Sequence, residues 1–307
     1  MNSLKKIPRR QIDGVLLLDK PLGLSSNDAL VRAKRLFNAR KAGHTGTLDP
    51  LATGLLPLCF GEATKFSQDL LEADKTYEST LKLGERTATG DAEGEVVESH
   101  EVECGSQAVL DVLDRFRGEI LQVPPMYSAL KRDGKPLYEY ARAGQTLERE
   151  ARAVTIHALE LVEAALPYVT IRVTCSKGTY IRTLGEDIGA ALGCGAHLTM
   201  LRRTGVGALT LDHAVTLEQI EAAPPESRET LLAPVDALLS SFEAITLDAD
   251  QTRRFLHGQR LRIADRAEGT SARVRIYSAD ARLLGTAQLH EGVIAPERLI
   301  ASAHEAH

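Results

Sequence analysis

The segment 43–57, GHTGTLDPLATGLLP, contains the residues whose types and spacing are best suited to chemistry. It brings three glycines, three threonines, a histidine and an Asp-Pro pair together within fifteen residues. Asp49 precedes the proline, so its backbone favours extended geometry over helix. Gly43, Gly46 and Gly54 permit tight turns or the close approach of another backbone. A carboxylate on such a loop suits a nucleophile or a general base, and the alternative is a turn in which Asp49 hydrogen-bonds its own backbone.

Other chemistries have weaker support in the sequence. His44 and Asp49 stand five residues apart without a third or fourth ligand, so we expect no metal site. The nucleotide-binding patterns GxxxxGKS, GxxxxGKT and GxGxxG do not occur, and neither does the serine hydrolase pattern GxSxG. The run DAEGE at 91–95 resembles a calcium loop but has Val102 where the twelfth position needs glutamate. Cys175 continues an alternating strand pattern, which favours a core position over a nucleophile.

The composition predicts a globular protein of two domains. The chain has 307 residues, of which 43% are hydrophobic and 26% charged. No run of 18 apolar residues occurs, and the charged N-terminus is not followed by the apolar stretch of a signal peptide. The four cysteines are dispersed and form no CxxC pair, which argues against a zinc ribbon and favours a reducing compartment. We therefore expect a cytoplasmic protein without a membrane segment.

The distribution of charge is uneven. The net charge is −5, yet residues 1–42 carry ten Lys or Arg against three Asp, and residues 252–275 carry seven Arg against two acids. A polyanion responds to such local patches, because exposed charges further apart than a Debye length of roughly 8–10 Å are largely screened. Two basic segments in an acidic chain weaken the interpretation that they only solvate the surface but do not overturn it, and a nucleic-acid partner stays open.

The periodicity of the first 245 residues predicts an α+β fold with a mixed sheet. Residues 14–21 form a buried-strand pattern ended by proline, and 76–83 and 168–175 alternate as half-buried strands do. Ser25 has the spacing of an N-cap before an amphipathic helix, and 106–116 is a second helical segment. Strands and helices do not follow a regular βαβ rhythm, which argues against a doubly wound fold.

Residues 124–152 are predicted to leave this sheet as an inserted flap. They contain six basic and four acidic residues and three tyrosines, with a short helix from Pro136 to a stop at Gly144. An insertion of this size is either a solvated flap or, given its mixture of cations and aromatic rings, a segment that grips a substrate.

A domain boundary is predicted near residue 245. Residues 1–245 would form the larger domain, and residues 246–307 a small β-rich module of about 60 residues, which is marginal as an independent unit. In this module Asp248 is expected to cap the start of a helix that Gly258 ends. Its strands are predicted around 260–263, 272–278 and 283–289.

Six runs of the sequence together resemble the bacterial tRNA pseudouridine synthase B family. They are GVLLLDKPLGLSS…KAGHTGTLDPLATGLLP, KTYEST, GDAEGEV, VPPMYSALKRDGKPLYEYAR, CSKGTYIRTLGEDIG and HLTMLRRTGVG. The resemblance spans about residues 15–245, which makes it far more specific than any single motif. It implies an isomerase that converts uridine 55 in the T loop of tRNA to pseudouridine, without a metal or organic cofactor.

The resemblance implies three catalytic residues. Asp49 occupies the position of the family's nucleophile, and a carboxylate there could attack ribose C1′ or stabilise positive charge on it. In a second route the carboxylate assists loss of the C2′ proton to give a glycal, and the sequence does not distinguish the two. Arg182 matches the arginine that pairs with this aspartate and would keep it ionised and oriented, unless it forms only a surface ion pair. Tyr77 matches a tyrosine that stacks on the target base and is able to move a proton.

The resemblance also implies residues that bind the RNA. His44, Tyr180 and Leu201 match positions that contact the substrate, whose uridine must flip out before C1′ is reachable. Lys20 and Asp91 match recurrent positions that we expect to be structural. The flap corresponds to the family's RNA-gripping segment, and the tail resembles a PUA-like RNA-binding module suited to the acceptor stem. The cations expected to contact phosphates are Lys131, Arg132, Lys135, Arg142, Arg202 and Arg203.

Two other functions stay open at this level. A guide-RNA-dependent pseudouridine synthase shares the GHTGTLDP loop, but the intact flap and short tail favour a stand-alone, monomeric enzyme that binds the T arm without a guide. An RNA-binding or RNA-folding factor without activity is the alternative from another class. Retention of Asp49, Tyr77 and Arg182 together argues against lost activity.

Overall fold

The computed structural model describes residues 8–263 and 271–300 of the chain. Residues 1–7 and 301–307, at the outer ends of the two predicted domains, lie outside the described residues, as do residues 264–270 of the second basic segment.

Thirteen strands precede residue 211 in the described part of the chain. They are β1 (Gly14–Lys20), β2 (Ala42–His44), β3 (Ala52–Phe60), β4 (Lys75–Leu83), β5 (Glu85–Thr87), β6 (Val96–Ser99), β7 (Gly118–Gln122), β8 (Lys131–Arg132), β9 (Lys135–Pro136), β10 (Arg152–Ala165), β11 (Tyr168–Cys175), β12 (Ala196–Val206) and β13 (Leu209–Thr210).

Nine of these strands form one mixed sheet. Its main order is β1-β3-β12-β4-β11-β10-β7, with β2 added beside β3 and β13 beside β12. The β3–β12 pair is parallel, and the other pairs of the sheet are antiparallel. The predicted α+β class with a mixed sheet is therefore confirmed. The centre of the sheet, from β3 to β11, brings together four segments that are far apart in the sequence.

The alternating patterns of the sequence become strands with one buried face. Strand β11 has the predicted bounds, and Val169, Ile171, Val173 and Cys175 are buried on its inner face. Strand β4 begins one residue before its predicted start, and Ser79, Leu81 and Leu83 are buried on the face that also carries the partly buried Tyr77. The period of two residues thus decides which side chains of β4 point inward.

Six α-helices lie in the part of the described chain before residue 245. They are α1 (Ser26–Leu36), α2 (Ser67–Glu72), α3 (Ser106–Asp114), α4 (Leu137–Arg142), α5 (Ile181–Ala191) and α6 (Leu217–Ala222). The predicted cap of α1 is confirmed, because the Ser25 hydroxyl accepts a hydrogen bond from the Asp28 amide. The predicted helix of the flap is also present as α4, followed by Gly144 in the left-handed region at a φ of +72°.

The C-terminal part of the chain forms a second sheet. Its strands, in chain order, are β14 (Glu243–Leu247), β15 (Leu261–Arg262), β16 (Ser271–Ser278), β17 (Leu283–His290) and β18 (Val293–Leu299), and its helix is α7 (Ala249–Leu256). Asp248 caps α7 through a reciprocal capping box with Gln251, and Gly258 follows its end at a φ of +78°. Strand β14 crosses residue 245, so the predicted boundary divides a strand of this sheet.

The described residues contain neither a helix suited to span a membrane nor a cluster suited to bind a metal ion. None of their helices combines the length and the apolar character needed to span a bilayer. Within residues 8–263 and 271–300, no three His, Cys, Asp or Glu side chains are arranged so that they could share a metal ion.

Candidate active site

A cavity of about 280 Å³ lies where strands β12, β4 and β11 of the large sheet meet the start of α5 and the loop that precedes β3. Five of the six residues predicted to be catalytic or to bind the substrate line it. The lining includes Asp49, Tyr77, Tyr180, Arg182, Leu201 and Arg203. His44 is not among the lining residues. The fold therefore assembles side chains from residues 49 to 203 around one opening.

The loop between β2 and β3 holds Asp49 at this opening. The buried hydroxyl of Ser26, in the first turn of α1, donates to the Leu48 carbonyl oxygen at 3.1 Å and accepts from the Leu48 amide at 2.8 Å. The Ala52 amide donates to the Asp49 carbonyl oxygen at 3.0 Å, which closes the turn into β3. The loop is thus attached to a helix on one side and a strand on the other, and its carboxylate is positioned in advance.

Two of the three loop glycines have the predicted role. Gly46 has a φ of +73°, and Gly54 has a φ of +97°. A Cβ on Gly54 would lie only 2.2 Å from the carbonyl oxygen of Arg203 on the neighbouring strand β12. The prediction is wrong for Gly43, which has no positive φ and no atom within 4 Å of an added Cβ. Gly43 lies in the regular strand β2, where an ordinary side chain would have room.

Arg182 connects the aspartate to two other segments. It lies in the first turn of α5 with 7% of its side chain exposed, and its Nη2 is 3.0 Å from Oδ2 of Asp49, whose side chain is 44% exposed. The same Nη2 donates to the Tyr127 carbonyl oxygen of the flap at 2.6 Å, and Nη1 donates to the Thr89 carbonyl oxygen at 3.1 Å. One guanidinium therefore holds the carboxylate, the flap and the β5–β6 turn in a fixed relation.

Asp91 supplies a second carboxylate to Arg182. Its Oδ2 lies 3.7 Å from Nε of Arg182, and only 5% of its side chain is exposed. The Thr89 hydroxyl donates to Oδ1 of Asp91, and the Glu93 amide donates to the same oxygen at 3.1 Å. The buried charge of Arg182 is thus matched by carboxylates on both sides, which is the arrangement that makes burial of an ion tolerable.

Tyr77 lies on β4 between two cross-strand neighbours, Val173 of β11 and Arg203 of β12. Burial raises the pKa of its phenol above the usual value, and the nearby charge of Arg203 opposes part of that rise. The neutral phenol is therefore the stable form at physiological pH, and the ring is an apolar surface with one polar tip at the cavity wall.

Tyr180 and Leu201 complete the wall of the cavity. Tyr180 is the N-cap of α5, and the buried side chain of Gln122 fixes its backbone by accepting from its amide at 2.8 Å and donating to its carbonyl oxygen at 3.1 Å. Burial raises the pKa of Tyr180. Leu201, on β12, is 8% exposed and presents an apolar side chain. His44, at the end of β2, has a buried Nδ1 without a hydrogen-bond partner in the described residues.

The prediction for Arg203 is wrong. As a phosphate contact it would need to reach the surface, but it is 1% exposed and lies at the wall of the cavity. Its Nε donates to the Leu55 carbonyl oxygen at 2.8 Å and its Nη2 to the Gly46 carbonyl oxygen at 3.2 Å. Arg202, the next residue, points to the opposite face and forms a two-point pair with Asp19 at 2.7 and 3.0 Å, so its charge is already matched inside the protein.

The cations of the flap are arranged differently from these two. Residues 131–136 form a β-hairpin whose turn has positive φ at Asp133 and Gly134, as a two-residue Asp-Gly turn requires. Nζ of Lys135 lies 4.7 Å from the ring centre of Tyr140, and the Arg142 guanidinium lies 5.4 Å from that of Tyr138. In the part of the chain that the structure describes, no carboxylate forms an ion pair with Lys131, Arg132, Lys135 or Arg142. These charges are thus available to an anion.

Two buried lysines lie close to the cavity. Lys20 is fully buried and donates to the carbonyl oxygens of Pro21 and Leu24 at 2.9 and 2.6 Å. Burial lowers its pKa to about 8, although the charge of Asp49 opposes this. Lys75 lines the cavity and also has its pKa lowered to about 8, by burial and then by the charge of Arg203. The surroundings of Arg203 are therefore rich in positive charge.

Two of the residues that build the site were not predicted from the sequence, and a third was predicted in another role. The Ser26 side chain hydrogen-bonds to the backbone of Leu48, and the Gln122 side chain to the backbone of Tyr180. No local sequence pattern predicts either partner. Arg203 was singled out only as an RNA contact. The alternation of side chains along β12 would have placed Arg202 and Arg203 on opposite faces, but not which of them is buried.

Comparison with known proteins identifies the chain's relatives. Residues 34–181 match the TruB family of pseudouridylate synthases in its N-terminal domain, and residues 182–244 match the tRNA pseudouridylate synthase B C-terminal domain. Residues 244–300 match the C-terminal part of pseudouridine synthase II TruB. The tRNA pseudouridine synthase B of Burkholderia mallei is 71% identical over 301 residues, which are 96% of both chains. That of Cupriavidus metallidurans is 65% identical over 302 residues, again 96% of both chains.

Solved structures agree with this relationship. A Cbf5-Nop10-Gar1 complex contains a chain that is 26% identical, with a TM-score of 0.71 over 94% of this chain and 85% of that one. An H/ACA RNP bound to a substrate RNA containing 2′-deoxyuridine contains one that is 25% identical, with a TM-score of 0.70 over 93% and 84%. With its sequence matched to relatives along nearly all of its length and its sheet matched to these structures, the chain belongs to the TruB family of pseudouridine synthases.

Proposed function

We propose that this protein isomerises uridine 55 in the T loop of tRNA to pseudouridine, acting alone and with Asp49 as the reactive carboxylate. Enzymes of its family are isomerases, and the relatives that match it over 96% of its length are named tRNA pseudouridine synthase B. The observation that carries the proposal is the Asp49–Arg182 pair, 3.0 Å apart at the opening of a cavity lined by Tyr77, Tyr180 and Leu201.

The pair is suited to chemistry at ribose C1′. The reaction breaks the N1–C1′ bond, turns the uracil and forms a C5–C1′ bond. The half-exposed oxygen atoms of Asp49 face a nucleotide that enters the cavity, while the buried guanidinium of Arg182 fixes their direction. Such a carboxylate either attacks C1′ or assists loss of the C2′ proton, and both routes use the same position of Asp49.

The cavity is also suited to a base that has left its stack. Unstacking and unpairing a nucleotide costs a few kcal/mol, and aromatic and apolar side chains around the flipped base offset part of that cost. Tyr77, Tyr180 and Leu201 provide these surfaces. The flap carries the exposed cations Lys131, Arg132 and Arg142, which would bind phosphates of the T arm without reading its sequence.

The experiment that tests the proposal uses a T-arm transcript with tritium at C5 of its uridines, without guide RNA or cofactor. C5 becomes the new glycosidic carbon, so each turnover releases its hydrogen to water. We expect release from the T-loop uridine only, and none from Asp49→Asn. The matched control is Asp111→Asn, which changes an exposed carboxylate of α3 and should leave the rate unchanged.

RNA affinity separates the alternatives. Asp49→Asn should bind the transcript within about twofold of the wild type, because Asp49 is proposed to act on the bond and not on the backbone. Equal loss of binding and turnover would assign Asp49 a structural role. Tight binding without any release by the wild type would contradict stand-alone catalysis. Release that appears only after adding cell RNA would then indicate a guide-dependent enzyme, and its continued absence an RNA-folding factor.

A further inference from the structure

Arg203 is a buried cation at the cavity without a carboxylate of its own. It is the largest side chain of the described residues that is fully buried, and no Asp or Glu among residues 8–263 and 271–300 forms an ion pair with it. Its position on β12 places it between Gly54 of β3 and Tyr77 of β4. Arg182, in contrast, has Asp49 and Asp91 beside it. The two cavity arginines therefore differ in how their charge is matched.

The hydrogen bonds of Arg203 do not explain why this residue must be charged. A guanidinium has five N–H donors, and two of them bind the carbonyl oxygens of Leu55 and Gly46. These contacts hold the loop of Asp49 against β3. A neutral donor could make them, whereas an ion taken out of water without a counter-ion is strongly destabilising. An unmatched charge retained at a cavity wall therefore points to a use for the charge itself.

The charge acts on the groups around it. It lowers the pKa values of His44, Lys20 and Lys75, in each case in addition to the larger effect of burial. It also opposes the burial-driven rise in the pKa of Tyr77. All four effects have the same sign, since each favours the less positive or more negative form of its group. The charge of Arg203 thus favours a negative charge on whatever enters beside it, while the Asp49 carboxylate acts in the opposite direction on Lys20 and Tyr77.

The reaction proposed above places a negative charge inside the cavity. When the N1–C1′ bond breaks, its electron pair leaves with the uracil and is shared between N1, O2, C5 and O4. C1′ becomes electron-poor and either bonds to the Asp49 carboxylate or, when the carboxylate takes the C2′ proton, becomes part of the double bond of a glycal. The electron pair of the uracil anion then forms the C5–C1′ bond, which releases the Asp49 carboxylate or, on the glycal route, is accompanied by return of the proton to C2′. The C5 proton goes to water, and N1 takes a proton from water. No oxidant, reductant or added co-reactant is required.

We propose that Arg203 is a catalytic residue whose buried guanidinium stabilises the detached uracil anion, while Arg182 orients Asp49. The division follows from the neighbours of each arginine, because the charge of Arg182 is matched by two carboxylates and that of Arg203 by none within ion-pair distance in the described part of the chain. The inference rests on the proposed function. The inference and the proposed function fail separately, because tritium release by the wild type tests the function, whereas the variants described below test the role of Arg203.

The first measurement is the single-turnover rate of Arg203→Met with saturating T-arm RNA. Methionine keeps an unbranched side chain of similar length and removes the charge. Loss of one electrostatic contact to the developing charge is expected to slow the reaction about 100-fold, with RNA affinity changed by less than about threefold. Arg172→Met is the matched control, since Arg172 is exposed on strand β11 of the same sheet and pairs with Glu78. Its rate should equal that of the wild type.

The second measurement separates charge from architecture. An RNA with 5-fluorouridine at the target position carries a less basic uracil anion, because fluorine withdraws electrons. Formation of its C5–C1′ bond is followed by nuclease digestion and mass spectrometry. The ratio of the wild-type rate to the Arg203→Met rate is compared on the two substrates. If Arg203 stabilises the anion, this ratio should be at least about tenfold smaller on 5-fluorouridine than on uridine. An equal loss on both substrates would mean that Arg203 only holds the Asp49 loop, and the inference would be wrong.

Arg203→Lys tests the same point with the charge retained. We expect it to recover at least about tenfold over Arg203→Met at pH 7. Burial lowers the pKa of the neighbouring Lys20 and Lys75 to about 8, so a lysine here should lose its proton, and its advantage over Arg203→Met, as the pH rises through that range. If Arg203→Met does not fold, the pH dependence of the Arg203→Lys rate tests the inference in its place. A profile parallel to that of the wild type, at a uniformly reduced rate, would overturn the inference.

Discussion

The charged residues of this site fall into two groups, according to whether an opposite charge lies next to them. Asp49, Arg182 and Asp91 form a chain of opposite charges, while Arg203, Lys20 and Lys75 form a cationic region in which no carboxylate of the described residues forms an ion pair. The first group is held in one geometry by hydrogen bonds to backbone carbonyls. The second group is placed at a free-energy cost, because burial disfavours each positive charge.

This cost should be visible in the pH dependence of stability. The pKa of Lys75 is lowered from 10.5 to about 8 in the folded protein, with burial as the largest cause. Between pH 8 and 10.5 the unfolded chain therefore binds this proton and the folded chain does not. Stability rises with pH wherever the unfolded state binds more protons. The wild type should gain stability relative to Lys75→Met across that range.

The measurement is urea unfolding of both proteins at several pH values from 7 to 10.5. Below pH 8 the difference between them should be constant, because Lys75 is protonated in both states there. A difference that stays constant up to pH 10.5 would show that the amine keeps its ordinary affinity for the proton. Lys177→Met is a control, since Lys177 is exposed and forms a surface pair with Glu72.

At the scale of elements, the parallel contact between β3 and β12 determines the shape of the site. It brings Leu201, Arg202 and Arg203 beside Ala52, Thr53 and Gly54, directly after the turn that contains Asp49. The close approach of the two backbones depends on Gly54, where a Cβ would lie 2.2 Å from the Arg203 carbonyl oxygen. The position of the loop is thus coupled to that of the strand that carries Arg203.

Gly54→Ala should therefore affect both stability and turnover. The added methyl group meets backbone at a φ of +97°, and we expect a loss of about 3 kcal/mol in the free energy of unfolding together with slower turnover. Gly43→Ala is the matched control in the same segment, because its Cβ has no neighbour within 4 Å and should change stability by less than about 0.5 kcal/mol. Urea denaturation and tritium release report the two effects. Equal stability of both variants would contradict the steric account.

At the scale of the molecule, the C-terminal sheet shares a core with the large sheet. Arg273 of β16 pairs with Asp69 of α2 and with Glu297, and Nζ of Lys65 donates to the Leu299 carbonyl oxygen at 2.8 Å. One cluster of buried side chains joins the two parts and contains Val15, Leu55, Cys59, Phe66, Phe255 and Ile276. A module of about 60 residues has little core of its own, so this shared packing supplies part of its stability.

The shared core predicts a single cooperative unfolding transition. Differential scanning calorimetry of the full chain should give one peak whose calorimetric and van't Hoff enthalpies agree. Two resolved peaks would show that the C-terminal sheet melts as an independent unit. The variant Asp69→Ala, which leaves the partly buried Arg273 with Glu297 alone, should lower the midpoint of that one peak without splitting it.

Local structure could be predicted well because its causes are local. The cap at Ser25, the bounds of β11, the helix of the flap and the capping box at Asp248 each depend on residues within a few positions. Strands β3, β7, β10, β12, β14 and β18 were among those not predicted. Strand β18 contains Pro296, which weakens a strand pattern, and this proline lies at a register shift in the pairing with β17.

The sequence by itself determined the class of fold, the loop that carries Asp49 and the residues that resemble the family's motifs. These follow from periodicity, turn chemistry and residue identity, which are properties of neighbouring residues. Only the tertiary structure decided which of two adjacent arginines is buried, that Ser26 and Gln122 hold the backbones of the site, and that Arg182 has carboxylate partners while Arg203 has none in the described residues. The reason is physical: burial and the matching of charges depend on segments about 150 residues apart, which meet only when the sheet forms.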